Sequence, residues 1–195
     1  MSKYNKIAIA VLAASAMISG SAMAGTVTST ATATWAATAT KDTTSNLVVT
    51  PLGSLTFDYA AGTESFNTQK GLFDVSIKGQ GGAGATVTAF TLTAQPATTK
   101  LSHLSDPKNT LDVGIRWYGA DLDSTKATTL VDGTVSAHGL SGLGDGSADA
   151  SAQDEFTFFI ADANNGTASI AAKDAMDGVY SGDVSVDFVA NWTTS

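Results

Sequence analysis

Few side chains in this chain are equipped for chemistry. There is no cysteine, which excludes thiol nucleophiles, disulfides and cysteine-held metal centres. The histidines are His103 and His138; neither has a recognisable partner in sequence, and both read as surface or loop residues. Gly79, Gly81 and Gly84 fit G-x-G-x-x-G, the spacing with which a loop cradles a dinucleotide phosphate. That chemistry needs a helix to follow, so that its N-terminus meets the pyrophosphate. Ala85 to Leu92 instead alternate as a strand, and the glycines read as a flexible hairpin loop. Gly139-Leu140-Ser141-Gly142-Leu143 approaches a serine elbow, but G-x-S-x-G needs glycine where Leu143 stands.

The carboxylates Asp121, Asp123, Asp145, Asp149, Asp154 and Glu155 raise the question of calcium. A calcium loop sets its oxygens at strict intervals and ends on a bidentate Glu. Asp145-Gly146-Ser147-Ala148-Asp149 does not continue that way and reads as part of a solvated acidic loop. No carboxylate pair is singled out for glycoside chemistry. Asn165-Gly166-Thr167 and Asn191-Trp192-Thr193 match the glycosylation sequon, with no modification expected in a bacterial-style exported chain. No catalytic, cofactor-binding or metal-ligating residue is nominated, and the chain reads as a non-enzyme with no cofactor.

The elements behind these residues are bounded by composition. A length of 195 residues favours one domain, and 43 % apolar residues are enough for a core rather than disorder. The formal charge of −8 argues against nucleic acid and anionic membranes, which attract basic proteins. The first 24 residues form a secretory signal by pattern: Lys3 and Lys6, an apolar run from Ile7 to Ile18, then Ala22-Met23-Ala24. The run is too short to span a bilayer, which takes about 20 apolar residues. Cleavage between Ala24 and Gly25 removes both lysines and takes the formal charge from −8 to −10. No later segment is apolar enough to insert in a membrane.

The rest of the chain carries 28 threonines, and its pattern is a two-residue rhythm, the mark of half-buried strands. From Thr26 to Thr40 the even positions are threonines apart from Ala36, and the odd positions are Val27, Ser29, Ala31, Ala33, Trp35, Ala37 and Ala39. Fifteen extended residues span roughly 50 Å, far more than an ordinary strand of about five or six residues. At the C-terminus Val184, Val186, Phe188, Ala190 and Trp192 share one face; Asp183, Ser185, Asp187 and Asn191 share the other, with Val189 the exception. Between these ends, strands are expected near Leu47–Thr50, Ser54–Tyr59, Leu72–Lys78, Thr86–Ala94, Leu111–Tyr118, Thr128–Val131 and Glu155–Ala161. Ser169–Met176 is expected as one short helix, and Gly79–Gly84 and His138–Ala152 as connectors. Many short strands with such turns indicate an all-β sandwich. The organisation expected is a signal peptide over 1–24, an extension over 25–40 and one domain over 41–195.

The N-terminal strand sits at a chain end with no hairpin partner beside it; Lys41-Asp42-Thr43-Thr44-Ser45-Asn46 separates it from Leu47. Such a strand either folds into its own sheet or adds to the edge of another subunit. The physics of the sequence leaves both open. Insertion would bury Val27, worth about 1.5–3 kcal/mol, and Trp35, with several inter-strand hydrogen bonds of about 0.5–1.5 kcal/mol each.

Ala33-Thr34-Trp35-Ala36-Ala37-Thr38-Ala39, Leu47-Val48-Val49-Thr50-Pro51-Leu52-Gly53-Ser54-Leu55 and Phe66-Asn67-Thr68-Gln69-Lys70-Gly71-Leu72-Phe73-Asp74-Val75 closely resemble the major subunits of the enterobacterial common pilus (the Mat fimbria), a family of alternative chaperone–usher pilins. So do Ala152-Gln153-Asp154 with Phe156-Thr157-Phe158, and Ser181 through Trp192. The likeness runs from the signal peptide over essentially the whole chain and is loosest over Leu101–Ala150. The resemblance implies an incomplete immunoglobulin-like β-sandwich, completed by donor-strand exchange. A periplasmic chaperone lends each subunit a strand; at the outer-membrane usher the N-terminal extension of the next subunit replaces it. The product is a self-associated surface fibre with an adhesin at its tip, contacting host cells and supporting biofilm formation. The family's donor segment maps onto Val27, Ser29, Ala31, Ala33 and Trp35, although Trp35 also suits the subunit's own first strand. Val184, Val186, Phe188, Ala190 and Trp192 become one wall of the acceptor groove, and the opposite wall is not legible. The rival expectation is a soluble or tip-located β-sandwich adhesin, for which the chain leaves little room; a secreted sandwich hydrolase is a third.

Overall fold

The computed structural model describes residues 46–82, 84–132 and 138–195. The signal segment 1–24, the Ala24/Gly25 junction and the extension 25–40 with Val27, Ser29, Ala31, Ala33 and Trp35 lie outside the described residues. In chain order the strands are β1 Leu47–Leu52, β2 Tyr59–Ala60, β3 Ser65–Phe66, β4 Gln69–Ile77, β5 Val87–Thr98, β6 Lys100–His103 and β7 Thr110–Trp117. They continue as β8 Ala120–Asp121, β9 Thr128–Val131, β10 Ala150–Asn164, β11 Ser169–Ile170, β12 Tyr180–Ser181 and β13 Ser185–Thr194.

One sheet runs β1-β4-β10-β7-β6-β12, with β11 on β10 and β8 on β7; the other runs β13-β5-β9. A separate hairpin pairs β2 with β3. The order β1-β4-β10-β7 is the A-B-E-D sheet of an immunoglobulin sandwich, and β5 beside β13 is its C-F pair. In that plan a seventh strand, G, lies on the outer edge of F. Among the described residues nothing pairs with the outer edge of β13.

Alternation decides what each strand buries. Along β13, Val186, Phe188, Ala190 and Trp192, preceded by Val184, pack against the core, while Asp187, Val189 and Asn191 are exposed. Val189 therefore belongs to the outward set. On β5 the inward set is Phe90, Leu92, Ala94 and Pro96. Pro96 lies opposite Val186 beside a bulge, a place where a missing N–H is tolerated. The long β10 pairs with β4 through Ala150–Phe158 and with β7 through Thr157–Asn164, so one strand stitches together the centre of the large sheet.

Several sequence expectations change. Ser169–Met176 is not a helix: Ser169–Ile170 pair back on Ala163–Asn164, and a single 3₁₀ turn covers Ala172–Asp174. The helix-forming run Ala171-Ala172-Lys173 loses to tertiary pairing, anchored by a turn in which Asn165 Oδ1 accepts from Thr167 N and Ala168 N, each at 3.0 Å. Of the strand expected over Ser54–Tyr59 only Tyr59 is paired, in β2, because Gly53 (φ +96°) turns the chain off β1; Leu55 and Phe57 still pack against the core. The connector expected over His138–Ala152 contains a 3₁₀ helix, His138–Leu143, whose Leu140 and Leu143 are fully buried. It also contains the start of β10.

The expected hairpin turn closes where Gly82 and Ala85 exchange backbone hydrogen bonds, and the residues leading into it are held by backbone contacts to the Gly146–Ser147 loop. Gln80 N donates to Gly146 O at 3.1 Å and Gly81 N to Ser147 O at 2.9 Å. Gly146 itself has φ +72°, and a Cβ there would lie 2.7 Å from Phe90 Cγ and from Trp192 Nε1. Its carbonyl accepts from that same Nε1 at 3.1 Å. Gly146→Ala is therefore expected to lower unfolding stability by about 1–3 kcal/mol, seen as a lower denaturant midpoint with an unchanged slope. Wild-type stability would refute this packing account of the loop.

Candidate functional site

The residues singled out for chemistry do not converge. Arg116 pairs with Asp121 at 2.5 Å. Asp123 and Asp145 cap their own turns, and the hydroxyls of Thr125 and Ser147 hold their carboxyls below the usual range. Asp149 accepts from Gly79 N at 2.9 Å. Asp154 is not a loop residue: it lies on β10, is 5 % exposed, and accepts from Trp117 Nε1 at 3.1 Å, Tyr118 Oη at 2.9 Å and Glu155 N at 2.8 Å. A buried carboxylate surrounded by donors is a structural anchor. Burial, then the bond to Asp154, pushes the Tyr118 phenol above its ordinary value. His138 stacks on Tyr118 with ring centroids 3.5 Å apart. His103, expected on the surface, is 3 % exposed at the end of β6. No cluster of potential metal ligands occurs among the described residues, and no described helix is long and apolar enough to cross a membrane.

What the fold does build is a groove of about 1020 Å³. Its first wall is the start of β13 and the segment before it, Met176–Val186 together with Phe188. Of the residues nominated for this wall, Val184, Val186 and Phe188 line the groove; Ala190 and Trp192 continue the same inward face beyond it. The opposite wall, which the sequence did not disclose, is Pro51–Tyr59 with Val49: the end of β1, the unpaired run Gly53–Asp58 and the first residue of β2. The floor is aromatic. Phe73 of β4 lies 4.6 Å from Phe156 of β10 and 5.3 Å from Phe188 of β13, so one ring cluster joins both sheets beneath the opening.

Both walls are edges. β1 ends one sheet and β13 the other, and among the described residues no strand lies between them. An extended segment laid there would meet the outer edge of β13 and an apolar floor together. Of the groove's charged residues, Asp58, Asp177 and Asp183 are acidic. Lys173 bonds Glu64 at 3.1 Å, tying the 3₁₀ turn to the β2–β3 hairpin at the groove's rim. The apolar floor between two strand edges thus suits an alternating strand.

A family model described as fimbrillin MatB matches residues 28–192. The common pilus major fimbrillin subunit EcpA of Klebsiella pneumoniae (strain 342) is 47 % identical over 161 residues, covering 79 % of this chain and 80 % of that protein. The protein of the same description from Escherichia coli (strain UTI89 / UPEC) is 46 % identical over 161 residues, covering 79 % and 77 %. Among solved structures, the CooA pilin subunit from enterotoxigenic Escherichia coli aligns with a TM-score of 0.46 at 14 % identity, over 75 % of this chain and 92 % of that one.

Proposed function

The chain belongs to the MatB fimbrillin family, and from that premise we propose that it is the major structural subunit of an adhesive surface pilus that polymerises by donating its N-terminal strand. The single observation that carries the mechanism is the outer edge of β13, unpaired among the described residues, over an aromatic-floored groove, in a sandwich whose described strands run from A to F. The donor is the stretch Val27–Trp35 of the next subunit. Nine extended residues span about 30 Å, close to the roughly 33 Å of the ten-residue β13. They lie antiparallel to β13, as G does to F.

Val27, Ser29, Ala31, Ala33 and Trp35 face the floor and the threonines face out. Small alanines suit a floor already filled by Phe73, Phe156 and Phe188. The chain carries no charge between Gly25 and Thr40, which matches a groove with three carboxylates on its rim. Before assembly a periplasmic chaperone holds the same groove, and the outer-membrane usher exchanges its strand for the donor. The signal segment directs export and is cleaved between Ala24 and Gly25, and the fibre, ending in a tip adhesin, mediates host-cell adhesion and biofilm formation. The role is structural, and no catalytic step is proposed.

The test is an unboiled denaturing gel of a sheared cell-surface fraction, probed for this chain. A ladder of multimers that collapses to one band on boiling is the expected result, since strand exchange is slow to reverse. A single monomer band in both lanes would overturn the proposal and favour a soluble β-sandwich binding module.

A further inference from the structure

The wall formed by Met176–Val186 is not held by a strand of its own length. Its contacts with the large sheet include the two-residue pairing of Tyr180 with His103 and Ser181 with Ser102, a bond from Leu104 N to Val179 O at 3.0 Å, a bond from Asn109 Nδ2 to Met176 Sδ at 3.7 Å, the close approach of Gly182 to Lys100 O, and the ring of His103. That ring touches the wall directly: Nε2 lies 3.1 Å from Asp177 O, and the Tyr180 ring stands edge-on to it at 5.0 Å. A Cβ on Gly178 (φ +146°) would lie 2.2 Å from Nε2, so the wall's backbone closes on the imidazole as nearly as glycine allows. On its other side Nδ1 accepts from Ser105 N and Asp106 N, each at 3.2 Å. Two donors aimed at Nδ1 leave the proton on Nε2, where it is donated to Asp177 O.

We propose that His103 is the positioning residue of the groove: its neutral ring, donating from Nε2 and accepting at Nδ1, docks the Asp177–Ser181 wall, and a proton on Nδ1 lets that wall go. This rests on the donor-strand reading above. A protonated Nδ1 would face the Ser105 and Asp106 amides donor to donor, and the turn that carries them would have to move away from the ring. The wall is bonded to that same stretch through Leu104, so a strand lying against it loses part of its support.

The residues with titratable side chains in contact with the ring are Asp106 on its own turn and Asp177 and Tyr180 on the wall. The Asp106 carboxylate is already engaged by Asn109 Nδ2 at 3.0 Å and Lys108 N at 3.3 Å. Burial holds the Tyr180 phenol above its ordinary value. Histidine is the side-chain type whose charge ordinarily changes between pH 7.5 and pH 5, while exposed carboxylates and lysines ordinarily keep theirs.

The experiment uses fibres sheared from cells carrying the full chain as wild type, His103→Gln or His138→Gln. Each is held at pH 7.5 and at pH 5 at one raised temperature, and the decay of the ladder into monomer is timed. Wild type and His138→Gln should shed subunits about tenfold faster at pH 5, the scale of losing one or two buried hydrogen bonds. His103→Gln, which keeps a donor toward Asp177 and has nothing to titrate, should decay at one rate at both. Equal acid acceleration in His103→Gln, or none in wild type, overturns the inference. Should His103→Gln fibres not form, ring ¹⁵N spectra of His138→Gln fibres report His103 alone. A proton on Nε2 only at pH 7.5, with Gly178 signals that shift by pH 5, supports the inference. A proton on Nδ1 at pH 7.5, or unchanged Gly178 signals, overturns it. Wild-type fibres that give no ladder at pH 7.5 overturn the donor-strand reading and this inference with it.

Discussion

Val27→Asp and Ala31→Asp are each expected to abolish fibre formation while leaving export intact. Both positions lie on the odd-numbered face that the donor-strand mechanism buries. A carboxylate there would leave water without a partner, at about 4 kcal/mol or more, which is about a thousandfold in the strength of insertion. It would also approach a groove whose rim already carries Asp58, Asp177 and Asp183. Thr28→Asp, one residue along, falls on the opposite face in this register and should assemble normally, because a one-residue step in a strand reverses the face. The readout is the multimer ladder beside the amount of chain in the periplasm. Normal ladders from both Val27→Asp and Ala31→Asp would sink the register. Loss of fibres from Thr28→Asp as well would mean that the segment is read for its backbone and not for one face.

The second large effect is expected at the groove floor. Phe156 is 2 % exposed, and its ring meets Phe73, Phe158 and Phe188 at 4.6, 6.3 and 6.0 Å. Phe156→Ala should destabilise the protein by about 3–5 kcal/mol, the usual range for emptying a core aromatic site. That is a large share of the roughly 5–15 kcal/mol that holds a domain folded. The same change removes the surface on which the donor's alanines would rest, so fibre yield should fall with stability. Phe159 is the control. It points away from the core, lies under the Arg116 guanidinium at 4.0 Å, and its truncation should shift the denaturant midpoint far less. Equal effects from the two changes would mean that the aromatic cluster is not the keel of the fold.

Much of the strand content was legible because alternation is local. Leu47–Thr50, Leu72–Lys78, Leu111–Tyr118 and Thr128–Val131 overlap β1, β4, β7 and β9 closely, and Val184–Trp192 overlaps β13. The errors share a cause. The Ala-rich run from Ser169 has helical propensity, yet Ile170 is needed on the core beside Ala163, and packing outweighs a few tenths of a kcal/mol per residue. Ser54–Tyr59 has a strand's composition, but Gly53 turns it off the sheet, and composition does not say whether an extended segment finds a partner. Asp154 looked like one acid among several. What sets it apart is burial against Trp117 and Tyr118, more than thirty residues away in sequence.

The division between the two sources of information follows the range of the interactions. The residues alone determined that this is an all-β exported chain, that its N-terminal segment is uncharged and two-faced, and which face of the C-terminal strand turns inward. Each of these is a period-two pattern or a short segment, set by neighbours within a few positions. Only the tertiary structure decided that Pro51–Tyr59 is the second wall of the groove, that Phe73, Phe156 and Phe188 form its floor, and that His103 props up the first wall. Those are contacts between chain segments tens of residues apart. Their partners are chosen by strand order and register across two sheets, which no local pattern carries.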